Sequence, residues 1–315
     1  MKDWETIIPF IKPIEHLILD PEISEIMING ADQVFIEKNG LLQRVPITLS
    51  EKMLERAVVH IARSVGDDIS PEKPLLDARL PDGSRFAAVF PPCSLNGISI
   101  AIRKFQARIH TAEELVRSGA VTPEMMEALK TAVERRDNIL VSGAAGTGKT
   151  TLLNALATFI PDEQRIVVIE DTAEIQIDKP NVVRLVARSP QPDVPEVSIR
   201  ELLRRTLRLR PDRIVVGEIR GQEAFDLLQA MNTGHSGTLS TIHANSCAEA
   251  LSRLSICVLQ SDVNLPYQAI NRAIAESLDL VLHLSRVNGR RVVDEVVRIN
   301  SYDPATDSHE LEKVV

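Results

Sequence analysis

A glycine-rich segment at residues 143–150, Gly-Ala-Ala-Gly-Thr-Gly-Lys-Thr, restricts the fold of this chain more than any other feature. It matches the pattern G-x-x-x-x-G-K-[ST], whose backbone N–H groups and following helix N-terminus bind phosphate oxygens. An apolar run before it predicts a strand, and leucines at helical spacing after it predict a helix. In that setting Lys149 reaches the β- and γ-phosphates of ATP and the Thr150 hydroxyl binds Mg²⁺. The predicted nucleotide-binding residues of this segment are Gly143, Ala144, Ala145, Gly146, Thr147, Gly148, Lys149, Thr150 and Thr151.

The length and charge of the chain limit the other classes of function. A chain of 315 residues is long enough for about two domains, each with its own core. Its 36 Lys and Arg against 44 Asp and Glu give a net charge of −8, which disfavours a protein that coats nucleic acid. The 3 cysteines include no C-x-x-C pair, so we predict buried, unreactive thiols rather than a zinc site or disulfides.

The N-terminus shows no signal for export or membrane insertion. Its first residues, Met-Lys-Asp-Trp-Glu, are not those of a signal peptide, and no apolar stretch approaches the length of a membrane span. We therefore expect a cytoplasmic protein whose contact with the membrane is peripheral and made through a partner.

Residues 1–105 predict a smaller α+β domain. Short strands are predicted around hairpin or turn signals at Asn39-Gly40 and Asp82-Gly83, and a helix is predicted to begin at Ser50. The period-two run at residues 98–103 predicts a closing strand. No catalytic centre is recognisable in this part of the chain.

Arg103 ends this domain just before a linker predicted at residues 106–112, and an ATPase domain is predicted at residues 113–315. A single surface arginine is most often simply solvated. At such a hinge, however, its forked and permanently charged head is suited to contact a phosphate held by the second domain. We therefore count Arg103 among the nucleotide-binding residues.

Two predicted strands of the second domain end in carboxylates. One apolar run is followed by Glu170-Asp171 and another by Glu218. Ligands of open α/β sheets bind beyond the carboxyl ends of the strands, so Glu170 and Glu218 are expected near Mg²⁺, partly through water. Glu218 is also placed to activate the water that attacks a phosphoanhydride. Its structural alternative is an ion pair with Arg220.

Two histidines, His235 and His243, flank a further predicted strand. A metal site is not predicted, because no third ligand stands at a fitting spacing. An imidazole that bonds differently before and after hydrolysis can instead sense the γ-phosphate.

Arginines are frequent between the two carboxylate-bearing strands. Arg200, Arg204 and Arg208 recur every fourth residue on a helix opened by a capping box at Ser198, and such a stripe is most often a solvated face. Arg210 differs, because it precedes Pro211 at the mouth of the strand that leads to Glu218.

Four blocks in this order resemble the secretion and pilus ATPase superfamily. They are residues 143–150, 169–174 (Ile-Glu-Asp-Thr-Ala-Glu), 216–220 (Val-Gly-Glu-Ile-Arg) and 234–245, which runs from Gly-His to His-Ala-Asn. They are similar to the Walker A motif, Asp box, atypical Walker B motif and His box of that superfamily. Gly217 at the usual Walker B Asp position belongs to this pattern.

Finer motifs resemble one branch, the Flp/Tad-type (CpaF-like) pilus assembly ATPases. These motifs are residues 76–85, 99–105, 209–218 and 230–235. The conjugation and type IV secretion traffic ATPases, which serve DNA or effector transfer, share the four blocks and are the alternative.

The resemblance implies a homo-hexameric ring with a RecA-like C-terminal domain, and nucleotide bound between the N- and C-terminal domains. It implies docking on an inner-membrane platform protein at the cytoplasmic face, with hydrolysis driving pilin extraction or substrate export. It supports Arg103 and Arg210 as phosphate contacts, and Arg79 and Arg85 as candidate contacts between subunits. The predicted catalytic residues are Glu218, Lys149, Glu170, His243 and Arg210.

Two other functions compete with a secretion motor. A nucleic-acid translocase is disfavoured by the acidic charge and by aromatic residues at 3%, too few for base-stacking platforms, and we expect no direct contact with nucleic acid. A scaffold that binds ATP without hydrolysing it is disfavoured because both Lys149 and Glu218 are present.

Overall fold

The computed structural model describes residues 8–38, 40–80, 82–105, 111–188, 194–287 and 289–314. The chain forms two compact units, Met1–Arg108 and Ile109–Val315. The predicted linker lies mostly outside the described residues, as does Asn39 of the predicted Asn-Gly hairpin. The domain limits drawn from the sequence therefore stay a prediction.

The first unit, unit 1, is an antiparallel sheet with helices beside it. Its strands are β1 (Ile23–Asn29), β2 (Val34–Lys38), β3 (Leu41–Val45), β4 (Leu75–Arg79), β5 (Arg85–Val89) and β6 (Ser99–Arg103). They are ordered β3-β2-β1-β6-β5-β4. Two short 3₁₀ turns (Ile8–Phe10 and Lys12–Ile14) lead into α1 (Glu15–Leu19), and α2 (Glu51–Ser64) lies between β3 and β4.

Alternation of apolar and polar residues builds the core of unit 1. In β5 and β6 every second residue is buried, as a sheet with one covered face requires. The buried stripe of α2, from Leu54 to Ala62, packs into the same core. Ser50 stands at the N-cap of α2 as predicted, but its side chain makes no capping hydrogen bond.

A row of arginines crosses the other face of this sheet. Arg79 lies opposite Arg85, and Arg85 opposite Arg103, in the strand register. Arg103 in turn lies opposite Glu25, whose Oε1 is 3.5 Å from the Arg103 Nε. Because directly opposed residues project from the same face, the three guanidinium groups share one surface, with a depression bordered by Arg85, Arg103 and Glu25.

The second unit, unit 2, is a mostly parallel sheet covered by helices. Its strands are β7 (Ile139–Gly143), β8 (Ile166–Glu170), β9 (Val182–Val186), β10 (Arg213–Ile219), β11 (Leu239–Ile242), β12 (Leu280–Val287), β13 (Arg290–Asp303) and β14 (Ser308–Lys313). Its helices are α3 (Ala112–Arg117), α4 (Pro123–Glu134), α5 (Lys149–Ala157), α6 (Ile199–Thr206), α7 (Glu223–Asn232), α8 (Cys247–Leu259) and α9 (Tyr267–Ser277). The strand order is β14-β13-β12-β7-β11-β10-β8-β9. Among the described strands, β13 runs antiparallel to both of its neighbours, β12 and β14, and the other pairings are parallel.

The central strands of this sheet, such as β7 and β8, are buried on both faces and are therefore apolar at consecutive positions. Ile139 and Val141 of β7 pack in one cluster with residues of α4 and α5. Leu140, between them, packs in the other cluster with residues of α6 to α9. The α/β fold class predicted from the sequence is confirmed, with the phosphate loop at the carboxyl end of a central strand.

Two local expectations need correction. Arg200 is largely covered rather than solvated, because α6 packs beside α7 and the Arg200 Nε lies 2.7 Å from the carboxylate of Asp226. Arg204 reaches the same carboxylate at 2.7 Å but is exposed, as is Arg208, so these two arginines agree with the expected solvated face. Cys93 is exposed, whereas Cys247 and Cys257 are buried. Residues 301–313 extend the edge of the sheet through the end of β13 and through β14.

Within the described ranges, no helix combines the length and hydrophobicity needed to span a bilayer.

Candidate active site

The phosphate loop follows β7 directly and depends on glycine at two points. A Cβ on Gly143 would lie 2.6 Å from the Leu284 carbonyl oxygen and 2.7 Å from the Thr147 Oγ1. Gly148 has φ +98 and is the N-cap of α5, a conformation that L side chains rarely adopt. The loop therefore turns tightly against β12 and places the first residue of α5, Lys149, at its mouth.

Lys149 is buried, and its ammonium group forms hydrogen bonds within the phosphate loop. Its Nζ donates to the carbonyl oxygens of Gly143 and Ala144, both at 3.0 Å, and lies 3.3 Å from the Nδ1 of His243. The ammonium group is thus held at the carboxyl end of β7 by groups that it can exchange for phosphate oxygens.

Glu218 at the end of β10 belongs to the same network. Its Oε1 is 3.1 Å from the Nε2 of His243, and its Oε2 is 3.0 Å from an Nη of Arg220. Arg220 also pairs with Asp171, and its hydrogen bond to Glu218 raises the pKa of the guanidinium. The ion pair with Arg220, the structural alternative for Glu218, is present together with the histidine contact rather than instead of it.

His243 connects the ammonium group of Lys149 to the carboxylate of Glu218. Since Nδ1 faces an ammonium donor, this nitrogen accepts, and Nε2 carries the proton that is donated to Glu218. Partial burial and then the charge of Lys149 lower the pKa of His243, against the opposing effect of Glu218. The imidazole is therefore neutral at neutral pH.

The lowered pKa of His243 predicts a specific pH dependence. Protonation places a second cation beside Lys149 and removes its acceptor. Because the pKa of His243 is lowered, hydrolysis should fall only at a pH below the ordinary histidine pKa of about 6.5. The variant His243→Gln keeps one acceptor and one donor but does not titrate. We expect its profile of kcat/KM against pH, measured by phosphate release, to lose the acid inflection. An unchanged acid limb in the variant would contradict the contact.

Glu170 lies behind this network, buried at the end of β8. Its Oε1 accepts from the backbone N–H groups of Glu174 and Ile175, both at 2.8 Å. A Cβ on Gly217 would lie 3.1 Å from the Glu170 Cγ, so the small residue in β10 makes room for that side chain. The glycine at the usual aspartate position thus has a steric reason, and the buried carboxylate comes from the neighbouring strand.

The donor set fits Mg²⁺ bound together with a nucleotide. Mg²⁺ keeps several waters and takes one or two protein oxygens plus phosphate oxygens, rather than a complete protein cage. Among the described residues no group of three or more His, Cys, Asp and Glu side chains is arranged to hold a metal. The protein oxygens at this edge are the Thr150 hydroxyl and the carboxylates of Glu170 and Glu218. Hydroxyl and carboxylate oxygens are the ligands that Mg²⁺ takes beside phosphate oxygens and water.

Two predicted residues lie elsewhere in unit 2. Arg210 precedes β10 and His235 precedes β11, so both stand at the amino edge of the parallel sheet, whereas Lys149, Glu218 and His243 stand at the carboxyl edge. Neither can join this site from within the same unit. The reason is that a residue that precedes a parallel strand lies at its amino end, whereas ligands bind beyond the carboxyl ends.

Other residues beside the loop were not predicted from the sequence. Arg286 and Arg291, on β12 and β13, approach Gly146 and Gly148 of the phosphate loop. Their contact depends on β12 being a neighbour of β7, which no local motif encodes. Arg103 lies on β6 in unit 1, and its predicted role stays a prediction.

Residues 11–309 of the chain match the family described as Type II/IV secretion system protein. The conjugal transfer protein TrbB of Rhizobium radiobacter is 36% identical over 291 residues, which cover 90% of this chain and 85% of the relative. The type IV secretion system protein PtlH homolog of Bordetella bronchiseptica is 38% identical over 303 residues, covering 87% and 89%.

Solved structures agree with this assignment. The VirB11 ATPase of the Brucella suis type IV secretion system, in complex with sulphate, is 33% identical with a TM-score of 0.51 and covers 97% of both chains. The Legionella pneumophila ATPase DotB, at 21% identity, supports the fold alone, with a TM-score of 0.64 and coverage of 92% and 80%.

The comparisons support the superfamily predicted from the four blocks, but they do not support the Flp/Tad branch predicted from the finer motifs. The relatives reported above are described as conjugal transfer and type IV secretion proteins. The motifs that pointed to the Flp/Tad branch therefore do not separate it from the alternative. With a family match over most of its length and the loop network described above, the chain belongs to the type II/IV secretion system protein family and is an ATPase.

Proposed function

We propose that this ATPase powers a type IV secretion or conjugation machine, the alternative kept open in the sequence analysis. The names of its relatives support this branch over pilus assembly. The observation that carries the enzymatic part is the contact of His243 with both Lys149 and Glu218 at the end of the phosphate loop.

In the proposed mechanism each residue of the network has one task. Lys149 gives up the loop carbonyls and holds the β- and γ-phosphates. Glu218 orients the attacking water and accepts its proton, while its own orientation is fixed by His243 on one oxygen and Arg220 on the other. Bound Mg²⁺, held by Thr150 and the carboxylates, would neutralise phosphate charge.

Loss of the γ-phosphate removes a partner of Lys149. The ammonium group can then return to the carbonyls of Gly143 and Ala144 and to His243, the contacts that it makes in the structure. Because His243 also contacts Glu218 and lies at the end of β11, hydrolysis would be signalled to that strand end. This gives His243 the sensor role proposed from the sequence.

The wider assembly belongs to the same proposal. We propose a homo-hexamer that works at the cytoplasmic face of the inner membrane against a platform protein, as the resemblance implies. Arg103 is kept as a phosphate contact. Arg210 and His235 could act only from another subunit, since they lie at the other edge of their own sheet. With a net charge of −8, the protein would drive transfer without binding DNA itself.

Deletion and complementation test the proposed branch. Removing the gene from its host should abolish conjugative DNA transfer or effector export, and the wild-type gene should restore it. Lys149→Ala should restore nothing, because the phosphate-binding ammonium group is lost, whereas Lys130→Ala, which removes a partly exposed lysine on α4, should restore transfer. Loss of surface pili with transfer and export unchanged would contradict the proposal and favour the pilus branch.

A further inference from the structure

The hairpin formed by β12 and β13 carries two arginines against the phosphate loop. Arg286 and Arg291 lie directly opposite each other in the strand register, so they project from the same face. An Nη of Arg286 donates to the Gly146 carbonyl oxygen at 3.2 Å. The Cδ of Arg291 lies 3.6 Å from the point that a Cβ on Gly148 would occupy.

This contact is rigidly placed. β12 pairs in parallel with the whole of β7, from Leu280 opposite Ile139 to Leu284 opposite Gly143. The Leu284 carbonyl oxygen approaches so closely that only glycine fits at position 143. The hairpin therefore holds a fixed position relative to the loop, whereas the arginine heads, which are exposed, can move.

Strand order distinguishes two flanks of the phosphate loop. β7 lies between β11 and β12. The groups that act on the terminal phosphate, His243 after β11 and Glu218 on β10, lie on one flank. The β12–β13 hairpin lies on the other. A nucleotide whose γ-phosphate faces His243 and Glu218 extends its nucleoside end towards the opposite flank, since the loop holds the phosphates between the two ends.

We infer that Arg286 and Arg291 bind the nucleoside of the substrate, by contact with the ribose or the face of the base. A guanidinium group is suited to this position, because its N–H groups donate to hydroxyl oxygens of a ribose and its planar face stacks on aromatic rings. Arg286 exchanges its bond to Gly146 for this contact, so that nucleotide binding and release of the loop are coupled. The inference rests on the proposed placement of the γ-phosphate beside Glu218.

Two ligands that share phosphates but differ in the nucleoside test it. ADP carries the nucleoside, whereas inorganic tripolyphosphate lacks it. In calorimetric titrations, Arg286→Ala and Arg291→Ala should each raise the Kd for ADP about tenfold, the size of one charge-assisted contact. Binding of tripolyphosphate should stay within about twofold of wild type by the same scale.

Arg290→Ala is the matched control, because Arg290 precedes Arg291 in β13 and alternation directs it to the other face. It should leave both affinities unchanged. Equal weakening of ADP and tripolyphosphate, unchanged ADP binding in both test variants, or an equal effect of Arg290→Ala would each overturn the inference. If wild-type protein binds neither ligand, the proposed function fails first, which separates the two results.

Discussion

Replacing Glu218 by glutamine should lower the rate of ATP hydrolysis by about two to four orders of magnitude, the range for loss of a general base, while ATP remains bound. The amide keeps the shape of the side chain but cannot accept a proton from water. Lys149 and the loop backbone are untouched, so the groups that bind phosphate persist. Phosphate release and equilibrium ATP binding, measured on the same preparation, give the two numbers.

The matched control for this prediction is Glu276→Gln, which neutralises an exposed carboxylate on α9. Its hydrolysis rate should equal that of wild type. If Glu218→Gln hydrolyses ATP at the wild-type rate, Glu218 is not the base. If the variant also loses ATP binding, the carboxylate of Glu218 binds the substrate, and the assignment of phosphate binding to Lys149 and of water activation to Glu218 is wrong.

Replacing Gly237 by alanine should destabilise unit 2 by about 3 to 5 kcal/mol, the cost of breaking the contacts of a buried charge. Arg213 is fully buried, and the Gly237 Cβ would lie 2.0 Å from its Nη1. The guanidinium cannot move aside cheaply, because it donates to Gln164 at 2.6 Å and to the Val133 carbonyl at 2.7 Å. Burial, and then the charge of Arg136, already lower the pKa of Arg213 to about 10.

Gly234→Ala separates this steric effect from backbone strain. Gly234 also has positive φ, at +96 against +82 for Gly237, but no atom lies within 4 Å of its Cβ position. Gly234→Ala should lower the free energy of unfolding by about 1 to 2 kcal/mol, the cost of placing an alanine in the left-handed conformation. Urea unfolding followed by far-ultraviolet circular dichroism measures both. Equal midpoints for the two variants would show that the packing of Arg213 against Gly237 contributes nothing.

Local patterns in the sequence predicted most of the elements. The stripe from Leu54 to Ala62 marks α2, and the capping box at Ser198 is formed as predicted. Strand, loop and helix around Lys149 follow from the glycine pattern. In each case the signal lies within a dozen residues, where backbone preferences and hydrophobic period act directly.

Arg210 and His235 were assigned to the wrong edge of the sheet. Both precede their strands and therefore stand at the amino edge, so the rule that ligands bind beyond the carboxyl ends could have excluded them.

Contacts between distant strands could not be predicted from local patterns. Arg286 contacts the phosphate loop only because β12 lies beside β7, and no sequence motif reveals this strand order. The steric reason for glycine at position 217 is visible only in the structure, where the side chain of Glu170 lies beside it.

The most direct test of the account is a structure of the Glu218→Gln variant with ATP and Mg²⁺. The account predicts that the Lys149 ammonium group leaves the carbonyl oxygens of Gly143 and Ala144, where it now lies at 3.0 Å from each, and donates to phosphate oxygens beside His243. A structure in which ATP binds while Lys149 keeps both carbonyl contacts, or in which the terminal phosphate lies away from His243 and position 218, would contradict it.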